Sequence, residues 1–188
     1  MGSNGDAYLK DYPAALPRLF EPAYVDYADA DIRGTLQEPP PQLVHRVHAV
    51  ACPTPGRVTV CESEDGWRFL PGGRLELGES INQALTRELL EEAGCRPEPG
   101  AMCRLFFSHI ATSRRLEPYM PHVPHPVAWW TFAVLPTEVV GQPTCPVDGE
   151  QITKVSHVSV EKAIEVLSAG SDPMHADIVR LAVHLQLI

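Results

Sequence analysis

Residues 73–95 read GRLELGESINQALTRELLEEAGC, and this stretch is the most informative part of the chain. Apolar residues recur at every fourth position of its second half, namely Ile81, Leu85, Leu89 and Ala93. A row of this kind is typical of a helix that turns one side toward a core. Ser80 and Gln83 form a capping box before the row, and Gly94 after it suits the left-handed end of a helix. The stretch therefore predicts a helix over residues 81–93.

The same helix carries three carboxylates on one side. Glu88, Glu91 and Glu92 fall at i, i+3 and i+4, which places them together and away from the apolar row. Carboxylates this close repel each other, and a hard divalent cation such as Mg²⁺ or Mn²⁺ would offset the repulsion. An acidic helix face on its own is usually only solvated. A metal site is therefore a hypothesis that depends on the residues around the three glutamates.

Those surrounding residues complete a longer pattern. Gly73, Glu79, Arg87 and Gly94 join the glutamates in the arrangement G-x5-E-x7-R-E-U-x-E-E-x-G-U, where U is apolar. This arrangement resembles the Nudix box, the signature of metal-dependent hydrolases that cut a diphosphate linked to another group. The resemblance covers about an eighth of the chain and departs from the usual pattern only at Cys95, which replaces Ile, Leu or Val. Buried cysteine behaves as a small hydrophobic residue, so the departure is minor.

The resemblance implies roles for residues within the box. The implied ligands of Mg²⁺ or Mn²⁺ are the carbonyl oxygen of Gly73 and the carboxylates of Glu88, Glu91 and Glu92. The implied catalytic residues are Glu79, Arg87 and Glu91. Arg87 and Glu79 would pair and fix the loop against the helix.

Four residues outside the box are further candidates, each with an ordinary alternative. Glu150 resembles an acid found upstream of a late strand in many Nudix proteins and could act as the general base, or it is a plain loop glutamate. Trp130 could stack on a base, or it only packs in the core or on the surface; its side chain and that of Trp129 should point to opposite faces of the predicted strand. His122 lies in a proline-rich segment and could contact substrate, although such loops are usually only solvated. Arg68 is the arginine nearest the box and a candidate phosphate ligand.

Composition narrows the class of partner. The 188 residues carry a net charge of −9, which disfavours broad nucleic-acid binding but allows a small nucleotide as substrate. No run is long enough to cross a membrane. Five scattered cysteines and the lack of a secretory signal predict reduced thiols and a cytoplasmic protein.

The order of patterns predicts an α+β protein, a Nudix-type α/β/α sandwich with a mixed central β-sheet. The predicted strands are 43–52, 57–61, 102–110, 127–135 and 152–158, and the predicted later helices are 160–169 and 176–187. Three prolines at 39–41 mark a boundary between an N-terminal extension, 1–40, and a Nudix hydrolase domain, 41–188. The repeat of Tyr8, Tyr12, Leu16, Phe20 and Tyr24 predicts an amphipathic segment that docks on the core or on a partner subunit as a homodimer contact.

The predicted function is metal-dependent hydrolysis of a diphosphate bond in a nucleoside diphosphate linked to another group. The substrate stays open between ADP-ribose or a sugar nucleotide and a nucleoside triphosphate, because Ile110, Ala111 and Thr112 stand where subfamily markers would lie. The alternatives are a catalytically idle domain that senses a nucleotide and a protein-interaction module built through residues 1–40. Retention of every box carboxylate favours the enzyme.

Overall fold

The computed structural model describes residues 12–146, 149–170 and 172–188. Across these ranges the chain forms ten strands and five α-helices. The strands are β1 (Ala23–Val25), β2 (Ala30–Thr35), β3 (Val44–Cys52), β4 (Arg57–Ser63), β5 (Arg68–Phe69), β6 (Gly72–Arg74), β7 (Cys95–Pro97), β8 (Arg104–Ser113), β9 (Val127–Val139) and β10 (Ile152–Ser159). The helices are α1 (Tyr12–Ala15), α2 (Pro17–Phe20), α3 (Ile81–Ala93), α4 (Val160–Ser168) and α5 (Met174–His184).

The strands form a large sheet and a small one. The large sheet runs in the order β1-β2-β8-β9-β3-β6, with β7 paired to the far end of β9. Strands β3 and β9 run parallel, whereas the other pairs are antiparallel, so the predicted mixed sheet is confirmed. The small sheet has the order β10-β4-β5.

Two apolar cores lie on opposite faces of the large sheet. Ala49 and Ala133, neighbours across β3 and β9, face a core with Leu85 and Leu89 of α3. The next residues along the same strands, Val50 and Val134, face a second core. Because successive side chains on a strand point to opposite faces, this alternation places α3 on one side. Ile178 of α5 lies in the second core, so the predicted α/β/α sandwich is confirmed.

The box helix was predicted at its observed bounds, whereas several other predicted bounds were wrong. Strand β9 continues to Val139, because its last residues pair with β7. Strand β8 continues to Ser113, because it pairs with β2. Helix α5 begins at Met174, where the Asp172 carboxylate accepts a hydrogen bond from the Met174 N–H, and it ends at His184. The strand bounds depend on partners that are distant in sequence.

The described part of the N-terminal segment is built into the large sheet. Strand β2 pairs with β8 along its whole length, and Leu19 is fully buried in the second core. Gly34 lies so close to Leu19 that a side chain would overlap the Leu19 carbonyl group. Tyr24 is 47% exposed, so the predicted four-residue amphipathic row does not hold there, while Tyr8 lies outside the described residues. The division of the chain at residue 41 stays a prediction.

No helix in the described ranges is long and apolar enough to cross a membrane. All five cysteines are free thiols.

Candidate active site

Helix α3 holds the acidic side chains in register because both of its ends are fixed. The Ser80 Oγ accepts a hydrogen bond from the Gln83 N–H, and the Gln83 Oε1 accepts one from the Ser80 N–H at 2.9 Å. Gly94 at the other end has φ 59°, the left-handed conformation that glycine adopts at little cost. The glutamates of the last two turns therefore project from a rigid element.

Arg87 ties the loop before the helix to the helix itself. Its Nε and Nη2 donate to the two carboxylate oxygens of Glu79, each at 2.9 Å, which is the predicted pairing. Its Nη1 donates to Glu88 at 2.8 Å and to Glu91 at 3.3 Å, and Nη2 also donates to the Arg74 carbonyl at 3.0 Å. The bidentate contact lowers the pKa of Glu79, and the same contact raises the pKa of Arg87. Both groups are therefore charged at neutral pH.

Glu88 and Glu92 are carboxylates in a poorly solvated position. Each side chain is buried, and the Glu92 carboxylate accepts a hydrogen bond from the Gly72 N–H at 2.8 Å. Burial raises the pKa of Glu88 and raises that of Glu92 well above its ordinary value. Their charged forms are thus costly even with Arg87 beside Glu88, and a further cation would offset that cost. This is an electrostatic environment that favours cation binding.

The position of Gly73 leaves no room for a side chain. A Cβ atom there would overlap the Glu88 carboxylate, whose Oε1 occupies the space. Strand β6, which contains Gly73, is hydrogen-bonded to β3, so the backbone cannot move aside easily. The glycine therefore allows the strand and the acidic side of α3 to approach each other closely.

One cleft brings most of the predicted site residues together. The predicted residues that line it are Gly73, Arg87, Glu88, Glu91, Glu92, His122 and Glu150. Glu79 contacts the cleft through Arg87. Glu150 lies close enough to Glu92 to raise the pKa of that carboxyl further. We call this space the acidic cleft.

The donor set of the acidic cleft suits Mg²⁺ or Mn²⁺. Its candidate ligands are all oxygens, as these hard cations require. Among the described residues no three acidic, histidine or cysteine side chains converge in a metal-binding arrangement. Instead the Arg87 guanidinium meets Glu88 and Glu91 and supplies the nearby positive charge. The chemistry of the residues fits a divalent cation, with Arg87 as its neighbour.

The remaining candidates, Trp130 and Arg68, lie elsewhere. Trp130 faces a neighbouring pocket, while Trp129 is buried, so the two side chains point to opposite sides as predicted. Arg68 lies on β5 of the small sheet, where its Nε donates to Glu62 at 3.1 Å. It lines neither space, because β5 and β6 are close in sequence but belong to different sheets.

The neighbouring pocket contains residues that the sequence analysis missed. Its aromatic and cationic lining residues include Tyr27, Arg46, Arg74, Arg115, Tyr119 and Trp130. Arg74 lines both this pocket and the acidic cleft. Arg46 and Tyr27 have no motif around them, so no sequence signal marked them. Nothing in the sequence distinguishes Arg115 from the other arginines outside the box.

Comparison with known proteins agrees with the fold and with the box. A family model described as NUDIX domain matches residues 43–181. A mutant of the pyrophosphohydrolase BsRppH from Bacillus subtilis has the same fold with a TM-score of 0.52, at 16% identity over 74% of this chain and 77% of that chain. No curated protein sequence matches the chain.

Two further solved structures have lower TM-scores. A MutT structure, from work on Aliivibrio salmonicida and Vibrio cholerae, has 21% identity over 76% of this chain and 97% of that chain, with a TM-score of 0.47. An ADP-ribose pyrophosphatase from Streptococcus suis has 15% identity over 76% of this chain and 89% of that chain, with a TM-score of 0.42. Because the family model spans most of the chain and the box is complete, the protein belongs to the Nudix hydrolase family.

Proposed function

We propose that the protein is a metal-dependent pyrophosphohydrolase that cuts the diphosphate of a nucleoside diphosphate derivative. The derivative is an ADP-ribose-like or sugar-nucleotide-like compound, or a nucleoside triphosphate. The observation that carries the proposal is the acidic cleft, a single space lined by Gly73, Glu88, Glu91, Glu92 and Glu150. A diphosphate is a strong anion, so an acidic site can hold one only together with cations.

The cations come from two sources in this proposal. Mg²⁺ or Mn²⁺, held by Glu88, Glu91, Glu92 and the Gly73 carbonyl oxygen, supplies Lewis-acid polarisation of a phosphoryl oxygen when bound. Arg74 lines the same cleft and, among the described residues, has no carboxylate within 4.0 Å, so its guanidinium is available to a phosphate. In this proposal the bound cation and Arg74 together bind and orient the diphosphate.

Glu150 is the best-placed group to take the proton of the attacking water. It lines the cleft, and no described residue donates a hydrogen bond to its carboxylate, so its lone pairs are available. Glu91 lines the same cleft but already accepts a hydrogen bond from Arg87. A general base needs a lone pair within reach of the water, and Glu150 meets that need better. Glu79 and Arg87 act by holding Glu88 and Glu91 in position.

The free thiols support a proposed cellular location. All five cysteines are unpaired, as is usual for cytoplasmic proteins, and we propose a cytoplasmic enzyme that acts on a small nucleotide. A homodimer stays a prediction.

The test is product analysis on a panel of diphosphates. ADP-ribose, sugar nucleotides, dinucleotides and nucleoside triphosphates are incubated with the full chain and Mg²⁺ or Mn²⁺, with EDTA as the control. The proposal expects a monophosphate and a second phosphorylated product, or pyrophosphate, from one class, and no turnover with EDTA. Absence of turnover on every compound, with a nucleotide still raising the melting temperature, would favour the sensor alternative.

A further inference from the structure

The pocket beside the acidic cleft has an unusual set of side chains. It encloses about 150 Å³ and shares Arg74 with the cleft, so a ligand bound in the cleft can extend into it. Its lining comes from residues as far apart as Tyr27 and Trp130. No aspartate or glutamate is among the described residues that line it, although the whole chain carries a charge of −9. We call it the arginine pocket.

The three arginines of this pocket have no carboxylate partner. Across the described ranges, Arg46, Arg74 and Arg115 make no ion pair within 4.0 Å, whereas Arg114, next to Arg115, pairs with Asp31 at 2.6 Å. The Arg46 Nε is buried without a hydrogen-bond partner in the described structure. A buried, unsatisfied donor on a charged group is costly, so the positive charge of Arg46 is not fully compensated by its described surroundings. The arginine pocket is therefore complementary to a negative group.

Aromatic rings hold these guanidinium groups in place. The Arg46 Cζ lies 4.7 Å from the Trp130 ring centre and 5.4 Å from that of Tyr27, and its Nη1 donates to the Tyr27 hydroxyl at 2.9 Å. The Arg74 Cζ lies 5.1 Å from the Tyr119 ring centre. Such contacts fix the cations without neutralising them. The arginines are thus positioned in advance of any anion.

The same rings offer flat apolar surface to solvent. Tyr27 is 65% exposed, and its ring lies nearly parallel to that of Trp130, with the ring centres 6.4 Å apart. Tyr119 is 58% exposed. Exposed aromatic faces beside arginines are a common stacking surface for nucleobases.

We propose that the arginine pocket binds the nucleoside monophosphate half of the substrate, with its base stacked on Tyr27 and its phosphate on Arg46, Arg74 and Arg115. This inference rests on the proposed function, because Arg74 places that phosphate next to the acidic cleft where the diphosphate is cut. Tyr27 becomes a specificity-determining residue, although it lies outside residues 43–181, the part that the family model matches. The N-terminal segment then has a role in recognition as well as in the sheet.

The experiment measures binding of nucleoside monophosphates, which contain no diphosphate and cannot be turned over by this reaction. Calorimetric titration of the full chain uses AMP, GMP, CMP and UMP without metal, and then adenosine, ribose 5-phosphate and inorganic phosphate. We expect one monophosphate to bind at least tenfold more tightly than the nucleoside, the sugar phosphate or phosphate alone. If GMP, CMP or UMP binds best, its own nucleoside replaces adenosine.

Two pairs of variants assign the contacts. Tyr27→Ala should weaken the best monophosphate by about 10- to 100-fold, the usual range for loss of one stacked base, and Tyr27→Phe should retain most of the affinity. Arg115→Gln should weaken it by about tenfold, as loss of a charged hydrogen bond does. The matched controls are Tyr24→Ala and Arg114→Gln, which alter the same segments outside the pocket lining. Melting temperatures confirm that each variant is folded.

Several results would overturn the inference. These are no binding of any monophosphate, equal binding of ribose 5-phosphate, or unchanged affinity in folded Tyr27→Ala and Arg115→Gln. If Tyr27→Ala fails to fold, Arg115→Gln against Arg114→Gln decides the matter. Turnover without monophosphate binding would overturn this inference alone, whereas monophosphate binding without turnover of any diphosphate would overturn the proposed function alone.

Discussion

The acidic cleft and the arginine pocket lie side by side, yet the chain builds them in different ways. Most of the cleft's carboxylates come from a single helix, and a single loop-to-helix contact through Arg87 organises them. The lining of the pocket comes from several segments that are distant in sequence, from residues 27–30 to residues 111–130. Carboxylates dominate the lining of the cleft. Arginines line the pocket, and none of its described lining residues is a carboxylate. Most of the proposed metal ligands are thus close together in the sequence, whereas the proposed recognition site is assembled by the fold.

The largest expected effect is in the cleft. Glu92→Gln should lower kcat by about 10³-fold or more, because it removes a charge from the proposed cation site. The Gly72 N–H can still donate to the amide oxygen, so the melting temperature should not fall. Steady-state kinetics on the identified substrate would measure the loss. Glu98→Gln, at an exposed position beyond the helix, is the control, and equal activity in both variants would contradict the role of Glu92.

Loss of the proposed general base should have the second-largest effect on kcat. Glu150→Gln should lower kcat by about 10²-fold while leaving KM nearly unchanged, because the residue acts on water rather than on the bound substrate. The acidic limb of the pH–kcat profile should also move or vanish. Glu91→Gln is the matched comparison within the same cleft. A pH profile that changes in Glu91→Gln and stays the same in Glu150→Gln would transfer the role to Glu91.

Weakening the Arg87 contacts that position the carboxylates of the cleft should have a smaller effect on activity. Arg87→Lys keeps the positive charge but cannot reproduce the two hydrogen bonds to Glu79, so activity should fall by about 10- to 100-fold. Metal titration should show a higher concentration of Mg²⁺ or Mn²⁺ at half-maximal activity. Arg104→Lys, on an exposed end of β8, is the control. An unchanged metal requirement in Arg87→Lys would mean that Arg87 does not position the ligands.

The smallest effect concerns two buried histidines outside both regions. The His109 Nε2 donates to the Leu19 carbonyl oxygen at 3.0 Å, and the His175 Nδ1 accepts from the Leu70 N–H at 2.9 Å, which a protonated His175 ring could not do. Burial lowers the pKa of each to about 4, although Asp172 acts in the opposite direction. An unfolded histidine has a pKa of about 6.5. Stability should therefore be complete above about pH 6.5 and decline toward about pH 4, by up to roughly 1.4 kcal/mol per pH unit for each ring.

Thermal melting between pH 7 and pH 5 measures this decline. In His175→Gln the amide oxygen can accept the Leu70 hydrogen bond without titrating, so the slope should become shallower. His184→Gln, at an exposed position on α5, should leave the slope unchanged. Equal slopes in all three proteins would contradict the assignment. Because neither histidine lines the cleft or the pocket, this pH dependence should appear in stability and not in the relative kcat of the variants above.

The box helix and the grouping of its carboxylates were predictable from neighbouring residues alone. The bounds of α3, its capping box and its left-handed glycine all follow from neighbours within a few residues, and so does the grouping of Glu88, Glu91 and Glu92. The pairing of Arg87 with Glu79 was also predictable. Glu79 directly precedes the N-cap residue Ser80, so it stays close to the first turns of the helix. Helical periodicity and capping are local properties, so sequence reasoning reaches them.

The residues that surround the box depend on long-range pairing and could not be predicted from the sequence. Sheet pairing joins residues far apart in sequence, and a short turn can send adjacent strands into different sheets, as it does with Arg68 and Gly73. The same pairing brings β2 against β8 and so carries Tyr27 to the wall that holds Trp130 and Arg46. Tyr27, Arg46 and Arg74 have no shared spacing, because their proximity depends on strand register rather than on sequence distance. The helix carries most of the proposed metal ligands in its own residues, and sheet pairing determines which other residues lie beside them.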